Sequence, residues 1–279
     1  MSGREHIRAD FERVVKSPED SFDLVRAAML VAAEADPSVD LDAELATLER
    51  WGDELASRIE PEWNNLQKLA RLRRYVYEDL RFHGDEKDYF SPENSLLHSV
   101  MRRRIGIPLT LSIVFLVLGW RIGMPLEGVG FPGHFLVRLT GEERELLLDT
   151  YHQGMSVDHH DCARMLEQIT QGQLRFQESM LAPMTKRDII ARLLMNLKGA
   201  SLRARQDELA LLAVDRLLVL HPEDSEQVRD RGLLLYRLRR YHQALEDLKC
   251  YLAARPDATD REAVEHHVVS LREILASMN

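Results

Sequence analysis

Apolar residues recur at helical spacing through most of this chain, and the exceptions locate its other elements. Leu24, Ala27, Ala28, Val31 and Ala32 mark one helix, preceded by Ser17-Pro18-Glu19-Asp20, which offers an N-cap, a first-turn proline and acids beside it. A second helix is predicted after Asp40, with Leu41, Leu45, Leu48 and Leu55 on one side. A third runs from Glu62 to Phe82 and carries Leu66, Leu69, Leu72, Tyr75, Val76 and Leu80. Ser91-Pro92-Glu93 repeats the cap-and-proline start ahead of Leu96, Leu97 and Val100. From Pro108 to about Trp120 the pattern changes: Leu109, Leu111, Ile113, Val114, Phe115, Leu116, Val117 and Leu118 lie on all sides, the composition of a helix buried on every face. Something must cover it.

After the breaker Gly123-Met124-Pro125, the segments Glu127 to Phe131, His134 to Leu139 and Arg144 to Asp149 read as strands. The last two flank Thr140-Gly141-Glu142-Glu143, where a Gly-first loop of Gly141 and Glu142 fits a type II′ turn. In that register paired residues sum to 283, which sets Phe135 against Leu148, Leu136 against Leu147, Val137 against Leu146 and Arg138 against Glu145. It also sets His134 opposite Asp149, with Cβ atoms roughly 4.5 to 5.5 Å apart, close enough for the carboxylate to accept from the imidazole.

Asp158-His159-His160-Asp161 reads as the polar first turn of a helix carrying Cys162, Met165 and Leu166. From Thr185 onward the pattern is unbroken helix, opened by the capping box Thr185-Lys186-Arg187-Asp188. His221-Pro222 and Arg255-Pro256 are separated by one tetratricopeptide period, with Ala210 matching Ala244, Val214 matching Leu248 and Lys198 matching Gly232. Two repeats and a closing helix from Arg261 to Met278 are expected. Grooves of such repeats bind peptides or proteins, so Arg192 and Asn196 of the first repeat, which correspond to Glu226 and Asp230 of the second, are candidate groove residues. The expected fold is α+β: a helix-rich domain with a small antiparallel sheet over residues 1–184, then an all-α repeat domain over 185–279.

A histidine oriented by an aspartate, beside the N-terminus of a buried helix, is two thirds of a thiol-protease-like triad. The missing nucleophile belongs at that N-terminus, where the helix dipole lowers a thiol's pKa. The residues there are Gly106, Ile107, Pro108, Leu109, Thr110, Leu111 and Ser112, and the two cysteines, Cys162 and Cys250, lie far along the chain. The order of a glycine-led helix start, a Gly-x-Pro turn, a strand histidine and a strand aspartate resembles the transglutaminase-like, papain-related core. More narrowly, RRRIGIPLTLS followed by GMPLEGVGFPGHFLVRL is similar to the bacterial SirB-type family, in which a transglutaminase-like domain precedes tetratricopeptide repeats. The resemblance covers nearly the whole chain. It implies that the nucleophile position, counted back from the turn at Gly123, is held by Pro108. His134 and Asp149 would then be a residual dyad. Two functions are open: a non-catalytic interaction or regulatory protein, or a hydrolase or acyltransferase in which His134 activates Ser112 or Thr110.

Composition narrows the partners. A hydrophobic content of 45%, a charged content of 30% and a formal net charge of -9 describe an acidic globular protein, which argues against nucleic acid and anionic membrane as partners. Arg71, Arg73 and Arg74 are interspersed with acids and read as a solvated helix face. Arg102-Arg103-Arg104 precedes the apolar run from Leu109 to Trp120, which is too short to span a bilayer. Two cysteines far apart in the chain make no disulfide framework, and Met1 to Lys16 lacks an apolar signal core, so a cytoplasmic setting is expected. His98 reads as a structural histidine. The histidines after the hairpin, His152, His159 and His160, lack metal-ligand spacing, because adjacent His159 and His160 point to different sides; no metal and no cofactor are expected.

Overall fold

The helix that begins at Pro108 is buried from Pro108 through Leu116 and again at Leu118 and Gly119, and the elements that cover it build most of the first unit. The computed structural model describes residues 3–141 and 145–278 and divides into two units, Met1–Leu193 and Leu194–Asn279. The first unit contains α1 (Gly3–Val15), α2 (Leu24–Ala35), α3 (Leu41–Ala56), α4 (Asn65–Arg74), β1 (His83–Gly84), α5 (Leu97–Arg103), β2 (Ile105–Gly106) and α6 (Pro108–Arg121). It continues with β3 (Leu126–Val129), β4 (Leu136–Leu139), β5 (Leu146–Asp149), β6 (Met155–Val157), α7 (His159–Thr170) and β7 (Pro183–Met184). The division between units falls within α8 (Lys186–Arg203), and α9 (Asp207–Leu220), α10 (Ser225–Arg237), α11 (Tyr241–Ala254) and α12 (Arg261–Ser277) follow.

Helices α3, α4 and α5 and strands β3 and β4 pack on α6. Gly119 lets β3 come close: a Cβ there would lie 2.2 Å from Leu126 Cδ1. Pro108 takes the first helical position, where its missing N–H is no loss, and Thr110 accepts from the Ile107 N–H at 3.2 Å. The three arginines before α6 are all engaged. Arg102 binds Glu44, Arg103 binds the Asn94 side chain, and Arg104, with φ at 63°, lays its guanidinium 4.1 Å from the Trp51 ring centroid.

Two helix starts differ from expectation. The segment after Ser17 makes only a 3₁₀ turn, Glu19–Ser21; Phe22 then inserts into the core in extended conformation, and α2 is capped by Asp23, which accepts from the Arg26 N–H at 2.9 Å. The expected third helix starts at Asn65 under an Asn64–Gln67 capping box and passes into a π-helical turn, Tyr75–Asp79. Of its arginines, Arg71 and Arg74 pair with Asp79 and Glu78, while Arg73 donates to the Gln153 carbonyl at 3.2 Å.

The five-stranded sheet is antiparallel throughout, in the order β6-β5-β4-β3-β7, and β1 and β2 form a separate parallel pair. Its hairpin register corrects the expected one by two residues: Val137 pairs with Leu148, Arg138 with Leu147 and Leu139 with Leu146. A slip of two keeps every side chain on its face, so alternation alone could not separate the two registers. Among the described residues, pairing ends at Leu139 and Leu146. The expected Gly141-Glu142 loop lies partly outside the described residues, which omit Glu142, Glu143 and Arg144.

In the second unit, α9 and α11 have 14 residues each and begin one repeat period apart, at Asp207 and Tyr241. Arg205 and Arg239, also separated by that period, both adopt positive φ, at 57° and 60°. Ala210, Val214, Ala244 and Leu248 share one core with Val264, Val268 and Leu271 of α12. At Gly232 a Cβ would lie 2.7 Å from Leu248 Cδ2, so that position takes only glycine without rearrangement. Lys198, its counterpart one period earlier, is instead a buried cation, donating to Gln227 Oε1 at 2.7 Å and to Asp230. Removing one partner of a buried pair leaves a charge without compensation. Asp230→Ala in the full chain should therefore lower the denaturation free energy by about 3 kcal/mol, whereas Lys198→Met combined with Asp230→Leu should recover most of that loss. Urea titration of the two variants distinguishes a stabilising pair from a bystander.

Candidate functional site

The site forms where the β3–β4 connection meets the end of β5. Gly133, with φ at 69°, turns the chain after Phe131-Pro132, and the His134 N–H donates to the Phe131 carbonyl at 3.1 Å. Arg192 then ties this turn down, donating to the carbonyls of Phe131 at 2.7 Å and His134 at 2.6 Å. That placement corrects the expectation that Arg192 lines a repeat groove: its guanidinium is spent on the backbone beneath the site and lies over the Phe135 ring. Asn196, one turn on, is partly exposed.

Asp149 ends β5 with only 2% exposure. Its Oδ1 accepts from the backbone N–H groups of Tyr151 at 3.0 Å and His152 at 3.3 Å, and its Oδ2 lies 2.8 Å from His152 Nδ1. His134, 9% exposed, brings Nε2 to 3.0 Å from Oδ1, although its N–H direction misses the carboxylate and makes no hydrogen bond there. His134 and Asp149 thus approach in the shifted register as diagonal neighbours, not as the directly opposed pair expected. Burial pushes the Asp149 carboxyl up, but the two histidines outweigh it and hold the group below the ordinary carboxylate value.

The turn after Asp149 is fixed on several sides. The Gly154 N–H donates to the Asp149 carbonyl at 2.7 Å, and Tyr77 donates to the Thr150 carbonyl at 3.0 Å. The Tyr151 hydroxyl donates to the Asp85 carbonyl at 2.9 Å, with its ring against Gly84, where a Cβ would come within 2.4 Å. His152 projects from this turn with its side chain 62% exposed. It also lines a cavity of about 560 Å³ with Tyr151, Gly84, Asp85, His83 and Ile105.

The neighbouring α6 N-terminus offers no free nucleophile among its expected candidates. Thr150 Oγ1 donates to the Pro108 carbonyl at 3.3 Å and shares a 2.6 Å hydrogen bond with Ser112 Oγ. Thr110 donates to the Asn94 carbonyl at 2.9 Å. Both hydroxyls are fully buried. Cys162 is buried in α7, where desolvation pushes its thiol up to about 11, and Cys250 is exposed in α11. His98 is buried beside Asp36, 3.9 Å away, and burial lowers its pKa. His159 and His160 occupy the first turn of α7, behind the Asp158–Asp161 capping box.

The residue that sequence reasoning did not place is His152. Its signal is local: an aspartate at a strand end with a histidine three residues on, in a turn whose backbone the same carboxylate caps. His134, Asp149 and His152 present donor atoms that lie within 4.8 Å of one another.

The transglutaminase-like superfamily profile matches residues 42–195, and a tetratricopeptide repeat profile matches residues 197–268. A UPF0162 protein of Xylella fastidiosa is 31% identical over 256 residues, covering 91% of each chain. The chain belongs to the UPF0162/SirB1 family. Within it, the UPF0162 protein YchA of Escherichia coli is 30% identical over 86% of this chain and 90% of its own. Protein SirB1 of Salmonella typhimurium is 28% identical over 81% of this chain and 82% of its own. No solved structure matches at a significant level. The resemblance to SirB-type proteins read from the RRRIGIPLTLS and GMPLEGVGFPGHFLVRL segments therefore holds over most of this UPF0162/SirB1 chain.

Because the folded pKa of Asp149 is depressed, its contribution is present above the unfolded carboxylate pKa of about 4 and is lost as pH falls through the lower folded value. In chelator-treated protein, Asp149→Asn should cost about 2 kcal/mol at about pH 7, and the gap to the native chain should narrow at about pH 3. Urea denaturation at both pH values reads the difference.

Proposed function

We propose that this UPF0162/SirB1 protein acts by binding a protein or peptide partner through its tetratricopeptide repeats, with its transglutaminase-like unit serving as a non-catalytic scaffold. The reading rests on one observation: the helix start expected to carry the nucleophile begins with Pro108, and the hydroxyls of Thr110 and Ser112 beside it are committed to Asn94 and Thr150. A general base must come within about 3.2 Å of the proton it removes, directly or through one water. Neither Thr110 nor Ser112 is hydrogen-bonded to His134; their partners are Asn94, Ile107 and Thr150. The functional division falls near residue 185, and Asn196, partly exposed on α8, is the groove residue retained in the proposal.

A cytoplasmic setting belongs to the same proposal, supported by two free cysteines. Among the described residues no helix is long and apolar enough to cross a membrane. The competing reading, a hydrolase or acyltransferase with Ser112 or Thr110 as nucleophile, has the His134–Asp149 pair in its favour and the buried, committed hydroxyls against it.

Intact-mass spectrometry after incubation with an activated ester separates the two. No adduct at Ser112, Thr110 or Cys162 is expected, and the double variant Cys162→Ser/Cys250→Ser should bind partners as the native chain does. An acyl adduct on Ser112 or Thr110 that vanishes in His134→Ala would overturn the scaffold reading.

A further inference from the structure

The His134–Asp149–His152 cluster has a feature that a dyad held for shape alone does not explain. A structural histidine buried against a carboxylate normally donates to it. Here His134 Nε2 is sheltered from solvent, stands 3.0 Å from Asp149 Oδ1 and yet makes no hydrogen bond. Across the same carboxylate, His152 turns its Nδ1 inward at 2.8 Å from Oδ2 while the rest of its side chain remains largely exposed. Two imidazole nitrogens and a carboxylate thus converge from different segments.

We propose that His134 Nε2, Asp149 and His152 Nδ1 bind one divalent first-row transition-metal ion of the zinc type. Such an ion takes nitrogen and carboxylate oxygen at about 2.0 to 2.2 Å, which places neighbouring donors of a tetrahedral site about 3.3 Å apart. His134 Nε2 stands 3.0 Å from Oδ1 and His152 Nδ1 2.8 Å from Oδ2, the two oxygens of one carboxylate. With one donor atom from each residue the three lie within 4.8 Å of one another, so rotation of the exposed His152 ring brings them onto one ion. Imidazole donors select this class over magnesium or calcium, which prefer all-oxygen shells.

The supporting structure is that of a positioned site. Arg192 fixes the His134 backbone, and the Asp149 carboxylate fixes the Tyr151 and His152 backbone by accepting from both. Three protein donors leave a coordination position for water or for a carboxylate brought by a partner. His152, a wall of the cavity beside it, gives the ion access to solvent. The sequence expectation of no metal considered His152 only with His159 and His160, which sit in the first turn of α7 and contribute nothing to this cluster. The proposal is independent of partner binding by the repeats, since an ion can be held whether or not the groove is occupied.

The test uses the full chain, stripped with a chelator and titrated with Zn²⁺ by calorimetry and with Co²⁺ by visible absorption. One equivalent should bind, the Co²⁺ spectrum should show the intense bands of a low-coordinate nitrogen and oxygen site, and Zn²⁺ should raise Tm. His152→Ala should weaken binding by about tenfold or more, with His152→Gln as the second variant if circular dichroism shows the first to be misfolded. His159→Ala/His160→Ala should retain the full stoichiometry. Absence of saturable Zn²⁺ binding, unchanged affinity in the folded His152 variant, loss of the site in the His159/His160 variant, or a preference for Mg²⁺ would each overturn the proposal.

Discussion

A helix with no polar face must be surrounded, and α6 imposes that constraint on the first unit. Its residues from Pro108 to Leu116 are buried without interruption, so water can be kept off only by packing partners on every side. Helices α3, α4 and α5 supply some of them and strands β3 and β4 the rest. Gly119 permits the close approach of β3, and Trp120 closes the contact by donating to the Leu126 carbonyl at 2.8 Å. Placing the sheet against α6 also fixes where β5 ends. Thr150, the residue after that strand, reaches both the Pro108 carbonyl and Ser112, so the α6 N-terminus and the Asp149 turn are held together by buried hydrogen bonds.

The features that burial and period control were readable from residues alone. All-round apolarity announced α6, and the Pro222 and Pro256 spacing announced a repeat that reappears in the backbone as positive φ at Arg205 and Arg239. Register was not readable, because a two-residue slip changes neither the face pattern nor the charge match: Arg138 still lies 3.5 Å from Glu145. The short strands β1, β2, β6 and β7 carry too few residues for a pattern. Within the site, His134 and Asp149 were legible as a pair, while His152 was hidden because its role depends on a turn, where no periodicity operates.

Arg192 shows the same limit from the other side. In the repeat numbering it aligned with Glu226 and invited a groove assignment, but an arginine at the end of a sheet competes for any carbonyls left without strand partners. Phe131 and His134 present two such carbonyls at the turn between β3 and β4. One guanidinium satisfies both, and that local demand outweighed the alignment of periods.

The His134–Asp149 approach needs no catalytic explanation. Asp149 is buried at the end of a strand, and a buried carboxylate is tolerated only where donors meet it. Two of its donors are backbone N–H groups, from Tyr151 and His152, which makes the carboxylate the organiser of the turn that follows β5. The two imidazoles also approach the carboxylate, His134 Nε2 at 3.0 Å from Oδ1 and His152 Nδ1 at 2.8 Å from Oδ2. The aspartate thus has a structural part that needs no nucleophile. Pro108 makes the complementary point at the helix start: its ring suits the first turn of α6 and carries no nucleophilic atom. The two features together place a buried histidine–aspartate approach and a proline-led helix start in one transglutaminase-like unit.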